Sequence, residues 1–135
     1  MDREIKYKIW DRIEKRWYAY EENIYSLAPE IAEINSEYGN DKSRFVWLQF
    51  TGLHDKNGKD VYEGDLFEFV SKKDTSIIML GEVYFKEGCF TMGYGYKNPS
   101  GEQRKGYFLS SPMENDGAEW VEVVGNIYEN SDLIN

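Results

Sequence analysis

Cysteine and histidine each occur once in these 135 residues, as Cys89 and His54. A single cysteine forms no intramolecular disulfide, which suits a reducing compartment. The same scarcity excludes zinc sites that need several Cys and His ligands. No window has the apolar length of a membrane helix. The first residues, Met1-Asp2-Arg3-Glu4-Ile5-Lys6, mix charges, and no apolar core follows them as in a signal peptide. The expected location is cytoplasmic. Positive charge is also short, with 16 Lys+Arg against 25 Asp+Glu and a net charge of −9. That field repels phosphate backbones and anionic lipid at long range. It favours solubility or a basic partner. Neither a P-loop nor a dinucleotide fingerprint is present: after Gly93 and Gly95, position 98 is Asn.

Aromatic residues are plentiful, with 7 Phe, 4 Trp and 11 Tyr, and 41% of the chain is hydrophobic. That supports a packed core and leans toward strands. The length fits one compact domain, or one with a small appendage. Residues 1–50 hold 8 basic and 10 acidic groups, net −2, and residues 51–135 hold 8 and 15, net −7. The acidity therefore lies mostly in the second part.

Residues 4–10 alternate, with Glu4, Lys6 and Lys8 on one side and Ile5, Tyr7 and Ile9 on the other. That predicts a half-buried strand. Residues 11–15 are turn-like, and residues 16–20 return as the second strand of a hairpin. Helix competes there, because Ile9, Ile13 and Trp17 are four apart. Residues 21–42 fit one short helix, with Pro29 near its start and Gly39-Asn40 beyond its end, or an irregular loop. Residues 44–50 read as a strand covered on both faces. After residue 60 the expected strands are 66–70, 77–85 with a bulge or bend at Gly81, 89–92, 107–109 and 120–124. Residues 94–106 read as a turn or long loop. Ser131 is placed to cap a final turn. About five short strands with close turns suggest a small closed barrel, since closure removes exposed edges.

Three stretches carry a resemblance. They are Arg3-Glu4-Ile5-Lys6-Tyr7-Lys8-Ile9-Trp10-Asp11, the long run from Gln49 through Asp55-Lys56-Asn57-Gly58-Lys59-Asp60 to Glu63-Gly64-Asp65, and Val121-Glu122-Val123-Val124-Gly125-Asn126-Ile127-Tyr128-Glu129-Asn130. In that order they resemble the YopX family, small proteins encoded by bacteriophages and prophages. His54 stands where members often carry Lys. The resemblance implies an SH3-type barrel in the C-terminal part and an origin in mobile DNA. It supplies no activity and no catalytic residues. The expected fold is thus mainly β. Residues 1–50 form a β-rich region with a hairpin and a little helix, and residues 51–135 an SH3-like barrel.

Candidate sites are few. Residues 55–60 invite a calcium-loop reading, but placing Gly58 sixth puts Leu53 first and Gly64 last, where carboxylates are required. A polar turn with Asn57 and Gly58 at positive φ explains the run better. Glu63-Gly64-Asp65 reads as a turn rather than as paired acids for proton transfer. A Cys89–His54 nucleophilic pair is formally open. Cys89 nevertheless starts an apolar run and reads as a small buried hydrophobe. Tyr94, Tyr96, Lys97, Arg104, Lys105 and Tyr107 mix aromatic and basic groups, as loops that stack bases do. With His54, they are the candidate partner contacts. The leading expectation is a non-enzymatic protein-interaction module with a phage or host protein as partner, and with no cofactor or metal. Alternatives are single-stranded nucleic-acid binding through residues 94–107 and an acidic mimic of DNA. Self-association is a further expectation.

Overall fold

A computed structural model describes residues 4–39, 41–70, 78–97, 109–112 and 121–133. Among the described residues the fold is mainly β, with one short α-helix, and the chain divides into two compact units, Met1–Gly52 and Leu53–Asn135. Among the described residues no helix is long and apolar enough to cross a membrane.

In the first unit, β1 (Lys6–Asp11) pairs antiparallel with β2 (Arg16–Asn23) on one side and with β3 (Phe45–His54) on the other. The expected hairpin is therefore present. Its alternation is not. Lys8, Ile9, Trp10 and Asp11 are all buried. The Lys8 ammonium lies 4.9 Å from the Tyr20 ring centre and 5.4 Å from that of Trp17, so aromatic rings cover the face that polarity assigned to water. Two register shifts leave extra residues on β2, and Glu21 takes φ 55 there. A non-glycine residue at that φ marks a bulge held in place by its surroundings.

A 3-10 turn (Ile24–Leu27) leads into α1 (Ala28–Ser36). Pro29 stands in the first turn of α1, where the missing N–H costs nothing. Of the two readings for residues 21–42, the helix holds. It buries Ile34 against Ile9, Ala19, Leu27 and Phe45, with Tyr7, Tyr18, Tyr38 and Trp47 packed around them.

In the second unit, β5 (Asp65–Val70), β6 (Ile78–Lys86), β7 (Cys89–Lys97), β8 (Leu109–Pro112) and β9 (Glu122–Asn126) form one antiparallel sheet in the order β8-β7-β6-β5-β9. β4 (Asp60–Tyr62) precedes them in the chain. The sheet is open among the described residues: β8 and β9 are its two edges, so the strands do not close into the expected barrel. Phe67, Val61, Val83, Met92, Val121 and Val123 form the core. Full burial of a side chain such as Phe67 is worth about 2–3 kcal/mol.

Three local expectations are corrected. Gly81 makes no bulge; it stands in register opposite Phe67 and Tyr94. The long loop starts late, because Tyr94–Lys97 extend β7 and pair with residues 78–81. The final strand begins at Glu122, two residues after its expected start. The turn at residues 86–88 is as read: Glu87 (φ 52) and Gly88 (φ 82) both lie at positive φ, the geometry that matches strand twist in a tight hairpin.

Candidate functional site: buried caps and an exposed hairpin tip

Each of the three family-like stretches contains an Asp or Asn whose side chain closes a turn. In the central stretch it is Asp55. Its Oδ1 accepts the N–H groups of Asn57 (2.8 Å) and Lys59 (2.9 Å), and its Oδ2 accepts that of Val123 (2.9 Å). The Gly58 N–H closes the turn on the Asp55 carbonyl. Gly58 alone has positive φ; Asn57 does not, which corrects the expected two-residue turn. Burial opposes the charge of Asp55, yet the three backbone donors outweigh it and hold the carboxyl below its usual range. Asp65 is likewise buried and accepts the Tyr62 N–H at 2.8 Å. So Asp55, Gly58, Gly64 and Asp65 serve turns. Among the described residues, no group of three His, Cys, Asp or Glu side chains is placed to hold a metal ion.

The closing stretch works alike. Asn126 Oδ1 accepts the N–H groups of Tyr128 and Glu129, and Asn130 Oδ1 accepts that of Asn126. A Cβ on Gly125 would lie 2.4 Å from Asn130 Oδ1, so glycine is required for that carboxamide to sit there.

In the opening stretch the cap is Asp11, 1% exposed. Its Oδ1 accepts the N–H groups of Ile13 (3.0 Å) and Glu14 (3.2 Å). Arg44 grips both oxygens, Nε at 3.0 Å and Nη2 at 2.9 Å. The Arg44 hydrogen bond, foremost, holds the Asp11 carboxyl below its usual range against the cost of burial. The Arg44 carbonyl accepts the Arg12 N–H, and its guanidinium lies over Tyr38 and Phe45. These bonds fix the β1–β2 turn, residues 12–15. Outside that frame Arg12, Ile13, Glu14, Lys15 and Arg16 all face water, Ile13 with 63% of its surface exposed. At the other end of β2, Asn23 Oδ1 accepts the Tyr25 N–H and fixes a tyrosine that is 90% exposed.

The candidate contacts from the sequence are scattered. His54 ends β3, 56% exposed at its side chain, with Nε2 2.9 Å from Asp60 Oδ1. Tyr94, Tyr96 and Lys97 lie on the β7 backbone. Arg104, Lys105 and Tyr107 lie outside the described residues. Cys89 is half-buried rather than buried; its Sγ donates to the Lys86 carbonyl and lies 3.8 Å from Thr91 Oγ1.

A cavity of about 240 Å³ is lined by Tyr18, Pro29, Glu30 and Glu33. The Tyr18 hydroxyl donates to Glu33, and burial with that bond drives the phenol far above its usual range. Glu30 Oε2 is buried without a hydrogen-bond partner among the described residues. The arrangement keeps a proton on Tyr18.

Sequence reading missed the hairpin tip. Residues 11–15 read as a polar turn, because charges in turns are common and the Asp11 partner is 33 residues away. The available signal was the aspartate opening the turn, with an aliphatic residue two positions on.

A family model described as YopX protein matches residues 6–135. Comparison with curated proteins gives no match. Among solved structures, the chain is similar to protein EF1440 from Enterococcus faecalis. The two are 20% identical, over 99% of this chain and 100% of that one, with a TM-score of 0.60. At that identity the likeness is one of fold.

Proposed function

The chain belongs to the YopX family, and from that premise we propose that it is a phage- or prophage-type accessory protein that acts as a non-enzymatic interaction module. Its partner is a phage or host protein met in the cytoplasm. One observation carries the reading: two large apolar side chains, Ile13 and Tyr25, stand in solvent on backbone that capping side chains hold fixed. An exposed apolar residue costs solubility, and rigidity lowers the entropy lost on docking. That combination suits a preformed contact surface. The buried Asx residues support the same view, because their polar atoms are occupied with turn amides and are not available for chemistry on a substrate.

β2 is an edge of its sheet, but two register shifts and the exposed Glu21 and Glu22 blunt it. Contact through side chains therefore fits better than strand addition at that edge. Single-strand binding through residues 94–107 and mimicry of DNA have no observation among the described residues that favours them over this reading.

The test is co-purification of the tagged full chain from its native host after mild crosslinking. The expected result is a protein retained in fixed proportion. A chain that retains no protein and turns over a substrate instead sinks the reading.

A further inference from the structure

The tip of the β1–β2 hairpin is locally basic in an acidic chain. Residues 12–16 carry three cations and one acid, net +2, in a chain of net −9. Arg12, Lys15 and Arg16 are exposed, and among the described residues none of their side chains has an ion-pair, hydrogen-bond or ring partner. Between them stands Ile13. Arg44, in contrast, is consumed by Asp11, so it holds the tip instead of offering its charge to a partner. Lys15 takes φ 54, an angle a side chain accepts only where the turn demands it. The device is a rigid loop that presents one aliphatic knob ringed by free cations.

We propose that this tip is the docking element of the interaction module, and that its partner is a protein with an apolar depression rimmed by carboxylates. The proposal rests on the module reading above and names the chemistry of the partner. A buried apolar anchor surrounded by Arg is the composition that concentrates binding energy at protein interfaces. Nucleic acid fits less well. The exposed apolar residue of the tip is aliphatic and has no ring to stack on a base, and Glu14 shares the turn with the cations. The −9 of the chain also adds repulsion against every phosphate within a screening length, whereas a protein partner confines its carboxylates to one patch.

The experiment starts from the protein that co-purifies with the full chain. It is identified by mass spectrometry, purified, and titrated against the wild-type chain, Ile13→Ser, the double variant Arg12→Ser/Arg16→Ser, and Val70→Thr. All four substitutions are at exposed positions, and equal thermal unfolding midpoints confirm that folding is unchanged. Ile13→Ser is expected to weaken binding about 30-fold. The double variant is expected to slow association and flatten its dependence on salt. Val70→Thr, at an exposed position of the other compact unit, should stay within about twofold, as surface positions outside the contact do. Unchanged affinity in Ile13→Ser and in the double variant overturns the tip while leaving the module reading intact. A complex released by nuclease, or a 20-base single strand or duplex bound by wild type and lost in the double variant, reassigns the tip to nucleic acid and also overturns it. A wild-type chain that retains no protein at all removes the module reading, and the tip with it.

Discussion

Asp11 and Asp55 are both buried aspartates that close turns, one in each compact unit, yet they solve the problem of a buried charge differently. Asp55 is satisfied by backbone alone, with three N–H groups on two oxygens. Asp11 has two backbone donors and depends on Arg44 for the rest. A backbone cage ties its carboxylate to the turn and to β9. A side-chain partner ties the hairpin turn to a residue far along the sequence. The difference teaches that a buried aspartate in a glycine-rich motif can be satisfied within its own neighbourhood, while one in a plain polar turn can depend on a distant side chain.

The largest expected effect comes from opening the cage. Asp55→Ala leaves three N–H groups without their acceptor, and the loss of charged hydrogen bonds at a buried site should cost about 3 kcal/mol. Urea unfolding followed by circular dichroism measures it. Asp55→Asn sharpens the result, since the amide keeps one oxygen but turns an N–H toward that of Val123 if Oδ1 stays on the turn. A loss below about 0.5 kcal/mol in the alanine variant, within the range of ordinary surface changes, would show that the cage is ornamental.

Next comes the pair. Asp11→Ala should cost about 2 kcal/mol, less than the cage because fewer backbone donors are orphaned. The pH dependence separates the two designs. Both carboxyls titrate lower in the folded chain than their ordinary value. Each therefore adds stability that is complete above the unfolded value, near pH 4, and lost as pH falls through the folded one. Arg44→Met removes the largest cause of the Asp11 depression and leaves burial opposed only by the Ile13 and Glu14 amides. The gap in urea midpoint between wild type and Arg44→Met should be widest at pH 7 and narrow below pH 4, where a protonated Asp11 no longer needs the guanidinium. Asp55→Asn also removes a charge, but Arg44→Met must leave the acid response of Asp55 untouched. A gap that is constant with pH would mean that Arg44 acts only by packing on Tyr38 and Phe45.

Much of this frame could be read from the residues. Period two and Gly-rich turns located the hairpin, β5, β6 and β7, because strand alternation and turn chemistry are local signals. The family-like stretches could be recognised for the same reason: they are runs of turn-closing residues. What escaped was non-local. Lys8 looked solvent-facing because nothing in its own strand shows that Trp17 and Tyr20 cover it. Tyr94–Lys97 looked like loop because their glycine-flanked polarity says nothing of the partner strand that extends β7. The strand count suggested closure, but closure depends on which edges meet, and β8 and β9 are not adjacent in the observed order. The site was less legible than the fold. The exposed Ile13 became significant only when Asp11 was seen to fix its backbone with help from Arg44.

The closing stretch offers a smaller break. Gly125→Ala forces a Cβ against the Asn130 side chain, 2.4 Å from Oδ1 and 2.7 Å from Cγ. The carboxamide must rotate away and give up the Asn126 N–H, at a cost of about 1 kcal/mol. Adding Asn130→Ala should recover most of the steric part but not the hydrogen bond. A double variant no more stable than Gly125→Ala would show that the clash lies elsewhere.

The smallest expected effect has the opposite sign. Glu21 sits at φ 55 in the β2 bulge, a conformation that costs an L-residue about 1 kcal/mol and costs glycine almost nothing sterically. Glycine gives back part of that gain through its larger unfolded-state entropy. Glu21→Gly should therefore stabilise the chain by about 0.5 kcal/mol, read as a higher urea midpoint with unchanged slope. The same substitution removes a charge from an exposed edge strand, so Glu21→Asn serves as the control: Asn tolerates this φ better than Glu yet keeps a polar side chain on the edge. If the strain account is right, stability rises in the order Glu, Asn, Gly. If instead the edge charge governs, the two variants gain no stability from relief of φ but begin to self-associate as concentration rises, and the bulge is then a guard on β2 rather than a strained turn.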